Sequence, residues 1–198
     1  MRDSNGAIRV FIAIQISADA SQALAELKER LAETVPRGVR WVDPKGIHLT
    51  LKFLGDIDPS LAGRVVEAMG QPGQASSPFN LQLSGVVMFP NERQPRILWA
   101  GVGGDVDALL ALQEQVEQAI SPLGFPREKR PFNPHLTIGR VRDGVSQGER
   151  RRIGQALSGA SLQPAQPWTV ECIHLIQSNL TPQGAVYASL GESALAGS

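Results

Sequence analysis

His48-Leu49-Thr50-Leu51-Lys52-Phe53-Leu54 is met again, 87 positions later, as His135-Leu136-Thr137-Ile138-Gly139-Arg140-Val141. Both stretches are short and apolar, and each reads as a strand. In a strand alternate side chains share a face, so His48, Thr50 and Lys52 point one way while Leu49, Leu51 and Phe53 point into a core. His135 and Thr137 share a face in the same manner, backed by Leu136 and Ile138. An imidazole beside a hydroxyl on a strand's polar face therefore occurs twice, using two of the chain's three histidines.

The surroundings of the two stretches also repeat. Val10 to Ile16 reads as a strand, Ser17 and Asp19 as candidate helix caps, and Leu24, Leu27, Leu31 and Val35 as the apolar stripe of a helix that Pro36-Arg37-Gly38 ends. The strand His48 to Leu54 closes this β-α-β unit. In the second unit the strand is Ile97 to Val102, the cap Asp105, the stripe Leu109, Leu112, Val116 and Ile120, the stop Pro122 and Gly124, and the closing strand His135 to Val141. Phe11-Ile12-Ala13 falls on Leu98-Trp99-Ala100 at an offset of 87, the same as the histidines, and the helix stripes lag by two. Between the units lie a helix from about Pro59 to Met69, a Gly/Pro/Ser linker from Gln71 to Pro78 and a strand from Phe79 to Phe89. A helix from Gln147 to Leu157, a strand from Trp168 to Gln177, a strand around Ala185 to Leu190 and a loose tail from Ser193 to Ser198 complete the chain. Such a repeat predicts an α+β fold of two pseudo-symmetric lobes, each a mainly antiparallel sheet with outer helices, around a central cleft. Residues 1–198 are expected to form one bilobal domain, with the motifs at 48–51 and 135–138 facing each other.

Composition narrows the function. The 198 residues are 42% hydrophobic and 19% charged, and 19 Lys and Arg balance 19 Asp and Glu, so no global field holds a long nucleic acid or an anionic membrane. A single cysteine, Cys172, excludes an intramolecular disulfide and a multi-cysteine zinc site, and suits a reducing cytoplasm. The start MRDSNGA has no apolar core of a signal peptide, and no apolar run approaches a membrane span. The expected location is the cytoplasm, with no membrane contact and no obligate protein partner. Asn179-Leu180-Thr181 matches a glycosylation acceptor that has no meaning without export. Gly101-Val102-Gly103-Gly104 fails the spacing of a dinucleotide fingerprint, which excludes a nicotinamide or flavin site.

Two imidazoles and two hydroxyls brought together make a phosphate pocket. Hydroxyls donate to phosphate oxygens, and imidazoles titrating near neutrality divide the roles of base and acid without a metal or other cofactor. The stretches RVFIAI, RWVDPKGIHLTLKFLGD and RPFNPHLTIGRV resemble the two-histidine phosphoesterase superfamily, and within it the RNA 2′,3′-cyclic phosphodiesterases, also described as 2′-5′ RNA ligases. The resemblance runs from about residue 8 to residue 190. It implies His48 and His135 as catalytic, Thr50 and Thr137 as phosphate-binding and Arg140 as an anion contact. Strict alternation turns Arg140 toward the core, so it reaches the groove only through a bulge at Gly139 or a strand end there. Lys52 has the parity of a further substrate-binding residue.

The activity the resemblance implies is hydrolysis of a 2′,3′-cyclic phosphate on an RNA end or a nucleotide to a 2′-phosphate, with His135 as base and His48 as acid. The alternatives are 2′-5′ ligation and a nucleotide-binding module without turnover. Outside the motifs, His174 reads as a structural histidine and Cys172 as a small buried hydrophobe. Arg127-Glu128-Lys129-Arg130 reads as a solvated loop, and Trp41 and Phe132 as packing or as stacking platforms for a base.

Overall fold

The computed structural model describes residues 6–35, 37–162, 165–181 and 184–197. The β-α-β unit of the first motif is strand β1 (Ile8–Gln15), helix α1 (Ala18–Thr34), a short strand β2 (Val39–Trp41) and strand β3 (His48–Ile57). Helix α2 (Ala62–Ala75) and strand β4 (Phe79–Phe89) lead to the second unit, which is β5 (Ile97–Gly104), α3 (Val106–Ile120) and β6 (His135–Val141). Helix α4 (Gln147–Leu157) and strands β7 (Trp168–Val170), β8 (Cys172–Thr181) and β9 (Gly184–Ala194) follow. The predicted stripes are the buried ones: Leu24, Leu27 and Leu31 of α1, and Leu109, Leu112, Val116 and Ile120 of α3. Ser17 caps α1 by accepting from the Ala20 N–H at 3.1 Å, which satisfies one free donor of its first turn.

The strands form two sheets, β3-β1-β8-β9 and β2-β6-β5-β4-β7, and every neighbouring pair is antiparallel. The fold is α+β, as the patterning predicts. The trio β8-β1-β3 matches β4-β5-β6, yet the two sheets are not successive halves of the chain. β2 leaves the first unit to flank β6, and the C-terminal hairpin of β8 and β9 returns to complete the first sheet. One apolar cluster contains Ile12 and Leu49 of the first sheet together with Leu98 and Leu136 of the second. No helix among the described residues is long and apolar enough to cross a membrane.

Several boundaries differ from the sequence reading. The stretch from Trp168 to Gln177 is two strands in different sheets: the side chains in the main core are Trp168 and Val170 and then, one place out of step after the crossover, Ile173 and Leu175. Residues 71–75 of the expected linker are the last part of α2, with Pro72 inside the helix, and only 76–78 connect it to β4. Its small residues serve close packing. A Cβ on Gly73 would lie 2.3 Å from Ser193 Oγ and 2.6 Å from the Ala194 carbonyl oxygen, so only glycine lets α2 meet the chain leaving β9. The expected loose tail is consequently tied down: the Leu195, Ala196 and Gly197 N–H groups donate to the carbonyls of Glu171, Gly73 and Ser76 at 2.7, 3.0 and 3.0 Å. Ser198 and the helix-ending Pro36 lie outside the described residues. Asp105 stands at the N-cap of α3 but accepts from the Asn80 N–H at 2.9 Å, pinning β4 instead of capping the helix.

Candidate active site

Each motif strand carries a bulge at the same place. On β3 the pairing steps from Ala13 opposite Thr50 to Ile12 opposite Lys52, leaving Leu51 unmatched. On β6 it steps from Trp99 opposite Thr137 to Leu98 opposite Gly139, leaving Ile138 unmatched. Ala13 and Trp99 are therefore equivalent, an offset of 86 where sequence alignment gives 87. An extra residue inverts the face of everything beyond it. Before the bulge the expected alternation holds, with His48, Thr50, His135 and Thr137 half-buried on the open face. After it Phe53 and Arg140 turn outward, and Lys52 and Gly139 turn inward.

The result is a groove of about 430 Å³ lined by His48, Thr50 and Phe53 from one sheet and His135, Thr137 and Arg140 from the other. Arg140 lines it by way of a bulge, with Ile138 as the extra residue instead of the Gly139 considered from the sequence. Lys52 does not: it is 6% exposed, with Nζ 2.6 Å from Glu117 Oε2 and 3.0 Å from the Pro126 carbonyl. The substrate-binding expectation for Lys52 is corrected by that inward turn. Phe53, expected in the core, is 53% exposed, stacks 6.5 Å from Phe11 and has the Arg9 guanidinium 4.9 Å above its ring.

Both imidazoles are held alike. His48 Nδ1–H donates to the Gly46 carbonyl at 2.9 Å, and His135 Nδ1–H to the Asn133 carbonyl at 2.7 Å. A carbonyl only accepts, so Nδ1 carries the hydrogen in each ring, and Nε2 is the nitrogen left to exchange protons with a ligand. Aromatic faces fix the ring planes. His48 stacks on Phe11 at 4.4 Å and meets Tyr187 edge-on at 5.0 Å, and His135 stacks on Trp99 at 4.1 Å, itself backed by Phe89 at 4.9 Å.

Burial holds the His48 pKa below the ordinary 6.5, against an upward pull from the Gly46 carbonyl. Burial also raises the Tyr187 phenol pKa above 10.0, opposed by the Arg140 charge, so Tyr187 enters the groove as a neutral donor.

Residues 14–99 and 104–187 match the model of the family described as LigT like Phosphoesterase. This chain belongs to the LigT-like phosphoesterases. Each matched block of the LigT-like chain holds one motif, with His48 in the first and His135 in the second. It is 30% identical over 170 residues to a protein of Aeropyrum pernix named RNA 2′,3′-cyclic phosphodiesterase, covering 85% of this chain and 93% of that one. A protein of the same name from Aquifex aeolicus is 30% identical over 180 residues, covering 89% and 94%. A crystal structure of a Thermus thermophilus protein superposes with a TM-score of 0.73 at 27% identity, covering 96% of this chain and 99% of that chain.

In this LigT-like phosphoesterase the side residues of the sequence reading fall away from the groove. Trp41 and Phe132 pack against the main core. Arg127 pairs with Glu114, and the carboxylate of Glu128 accepts from the N–H groups of Lys129 and Arg130, which makes the run 127–130 a braced loop. His174 is buried between Cys172 Sγ, 3.1 Å from its Nε2, and Glu192, 3.4 Å from its Nδ1. Burial, with the charges of Glu192 and Glu171, raises the Cys172 pKa and keeps it a thiol. These three are the one close trio of ligand-type side chains among the described residues, and none of them lines the groove. The glycine run owes itself to packing, since a Cβ on Gly101 would meet the Ser84 carbonyl oxygen at 2.2 Å.

Tyr187, Phe11, Trp99, Phe53 and Arg9 are site residues that the motif reading passes over. Phe11 and Trp99 carry a signal, an aromatic in each repeat's first strand. Phe53 is hidden by the bulge, and Tyr187 by its arrival on β9 from the far end of the chain.

Proposed function

We propose that this chain hydrolyses the 2′,3′-cyclic phosphate of an RNA end or a nucleotide to a 2′-phosphate, with His48 and His135 as its proton-transfer pair. The observation that carries the reading is the matched presentation of the rings, each locked through Nδ1 with Nε2 free, one from each sheet, beside a threonine hydroxyl. The relatives' shared name supports the substrate class. The groove takes one motif from each sheet, and the chain passes between the sheets at β2 and again from β7 to β8, so the two lobes work as one unit.

A water oxygen attacks phosphorus and loses its proton to Nε2 of one histidine. The bond from phosphorus to O3′ breaks, and Nε2–H of the other histidine protonates O3′. The family resemblance gives His135 the first role and His48 the second. Burial favours the neutral form of the His48 ring, so the division of roles rests on the resemblance alone. The Thr50 and Thr137 hydroxyls donate to the non-bridging oxygens, and Arg140 balances the growing negative charge. Purified protein should convert cytidine 2′,3′-cyclic phosphate to the 2′-monophosphate at a rate unchanged by EDTA, with the product's position read by NMR. A 3′-phosphate product, or a rate that EDTA abolishes and a divalent ion restores, contradicts the scheme.

Valine in place of either threonine keeps the branched shape and deletes one donor. Thr50→Val and Thr137→Val should each lower kcat/KM by roughly 10- to 1,000-fold, the cost of one well-placed donor at an anionic centre, with little change in Tm. Wild-type kinetics and wild-type affinity for 2′-CMP in both variants would remove the hydroxyls from the mechanism.

The pH profile of kcat/KM should be a bell, because one ring must accept a proton while the other gives one. A lowered pKa means that His48 sheds its proton at lower pH, so its titration lies on the acid side of 6.5. In the His135→Ala protein, where the coupled partner is absent, the His48 ring protons should shift with a midpoint below 6.5 in an NMR titration. A midpoint above that value contradicts burial as the dominant influence.

A further inference from the structure

A second groove, of about 630 Å³, opens beside the first, and Arg140 lines both. Its walls carry Arg40, Arg96, Arg140, Arg142 and Arg150 against one carboxylate, Asp143. In a chain whose charges balance overall, this is a concentrated positive field.

The backbone forces the arginines together. Arg40 on β2 lies directly opposite Arg140 on β6, which in turn faces Ile97 on β5, the neighbour of Arg96. Like charges opposed across strands repel. No carboxylate among the described residues relieves them within 4.0 Å, since the ion pairs found there join Lys52 to Glu117, Arg127 to Glu114 and His174 to Glu192. Arg150 is anchored, donating to the carbonyls of Pro95, Arg142 and Asp143 at 3.1, 2.9 and 3.4 Å. The other four are exposed and have no side-chain hydrogen bond among the described residues. Guanidiniums crowded without counter-charges, on strands rigid enough to hold them there, fit a ligand that brings several negative charges in a row.

We propose that this groove holds the phosphodiester backbone of single-stranded RNA leading to the cyclic phosphate. This rests on the reading of the adjoining groove as the site of cyclic-phosphate hydrolysis. A 2′,3′-cyclic phosphate ends an RNA strand, so every other phosphate lies on its 5′ side, and the chain leaves the active groove in one direction only. Arg140 stands at the junction, between the reacting phosphate and the first phosphodiesters. The enzyme then prefers an oligonucleotide to a mononucleotide, through charge and without reading sequence.

The test is the Arg40→Gln/Arg96→Gln double variant, which leaves Arg140 and the histidines intact. Its substrates are cytidine 2′,3′-cyclic phosphate and a pentaribonucleotide ending in the same group, each assayed over a range of KCl. Wild-type kcat/KM should be higher on the pentamer and fall with salt. The variant should lose about tenfold or more on the pentamer, and its salt slope should flatten by about 1.4, at roughly 0.7 per released phosphate contact. Turnover of the mononucleotide should stay unchanged.

Equal losses on both substrates in a folded protein, or an unaltered pentamer rate and salt slope, overturn the proposal. If the double variant does not fold, Arg142→Gln replaces it, with half the expected change in slope, and the same two results overturn the proposal. If the wild type turns over neither substrate, the hydrolytic reading fails by itself. The groove is then judged by fluorescence anisotropy with a labelled pentamer bearing a terminal 2′-phosphate: weaker, less salt-dependent binding to the variant upholds it, and unchanged binding overturns it.

Discussion

Alanine at His48 or at His135 should each reduce kcat by about 10²–10⁴-fold, the usual contribution of a positioned proton-transfer group, and the double variant should be little worse than either single one. The near-equality follows from the geometry. Each ring presents one nitrogen to the same groove, and hydrolysis needs a proton taken and a proton given in one cycle, so half of the pair is of little use. Folding should survive, because both rings are half-buried at the rim of the groove and their strands are held by Leu49, Leu51, Leu136 and Ile138. The check is steady-state kinetics on a nucleoside 2′,3′-cyclic phosphate beside thermal melts of each variant. Additive losses, in which the double variant falls by the product of the two single effects, would mean that the histidines act independently. A well-folded single variant with most of its activity would dismiss that residue from the mechanism.

Lys52→Met should leave the chemistry nearly untouched and strike stability. Lys52 and Glu117 are 4% and 5% exposed at the side chain, and Glu117 also accepts from the Glu128 N–H at 3.2 Å, ahead of the second motif. Removing the ammonium strands a buried carboxylate, at a cost of about 3–5 kcal/mol. For a protein of this size that lowers Tm by roughly 10 °C. Lys52→Met/Glu117→Gln removes both charges while keeping an acceptor for Glu128, and should recover most of the loss. The deciding measurement is Tm and kcat/KM on the same samples. A variant with wild-type Tm and a tenfold lower kcat/KM would return Lys52 to the substrate, against its inward position.

The same residue shows where reading the chain stops. Counting alternate positions from His48 puts Lys52 in the groove, and the count is right as far as Thr50. The bulge at Leu51 then reverses it, and the twin bulge at Ile138 reverses the count for Arg140, this time in favour of the site. The single strand drawn from Trp168 to Gln177 fails for a kindred reason, as a one-residue slip in the positions that face the main core marks the crossing from one sheet to the other.

The class of fold, the internal repeat, the helix stripes and the pair of imidazoles beside hydroxyls were all legible in the amino-acid order. They depend on residue type and on the local periods of helix and strand, which need no knowledge of neighbours. Which strands pair, where an extra residue is accommodated and what arrives from distant sequence depend on backbone hydrogen bonds and burial satisfied across the whole chain. For that reason the sheet partners of β2 and β8, the outward turn of Phe53 and Arg140, the burial of Lys52, the placing of Tyr187 against His48 and the row of arginines beside the groove emerge only in three dimensions.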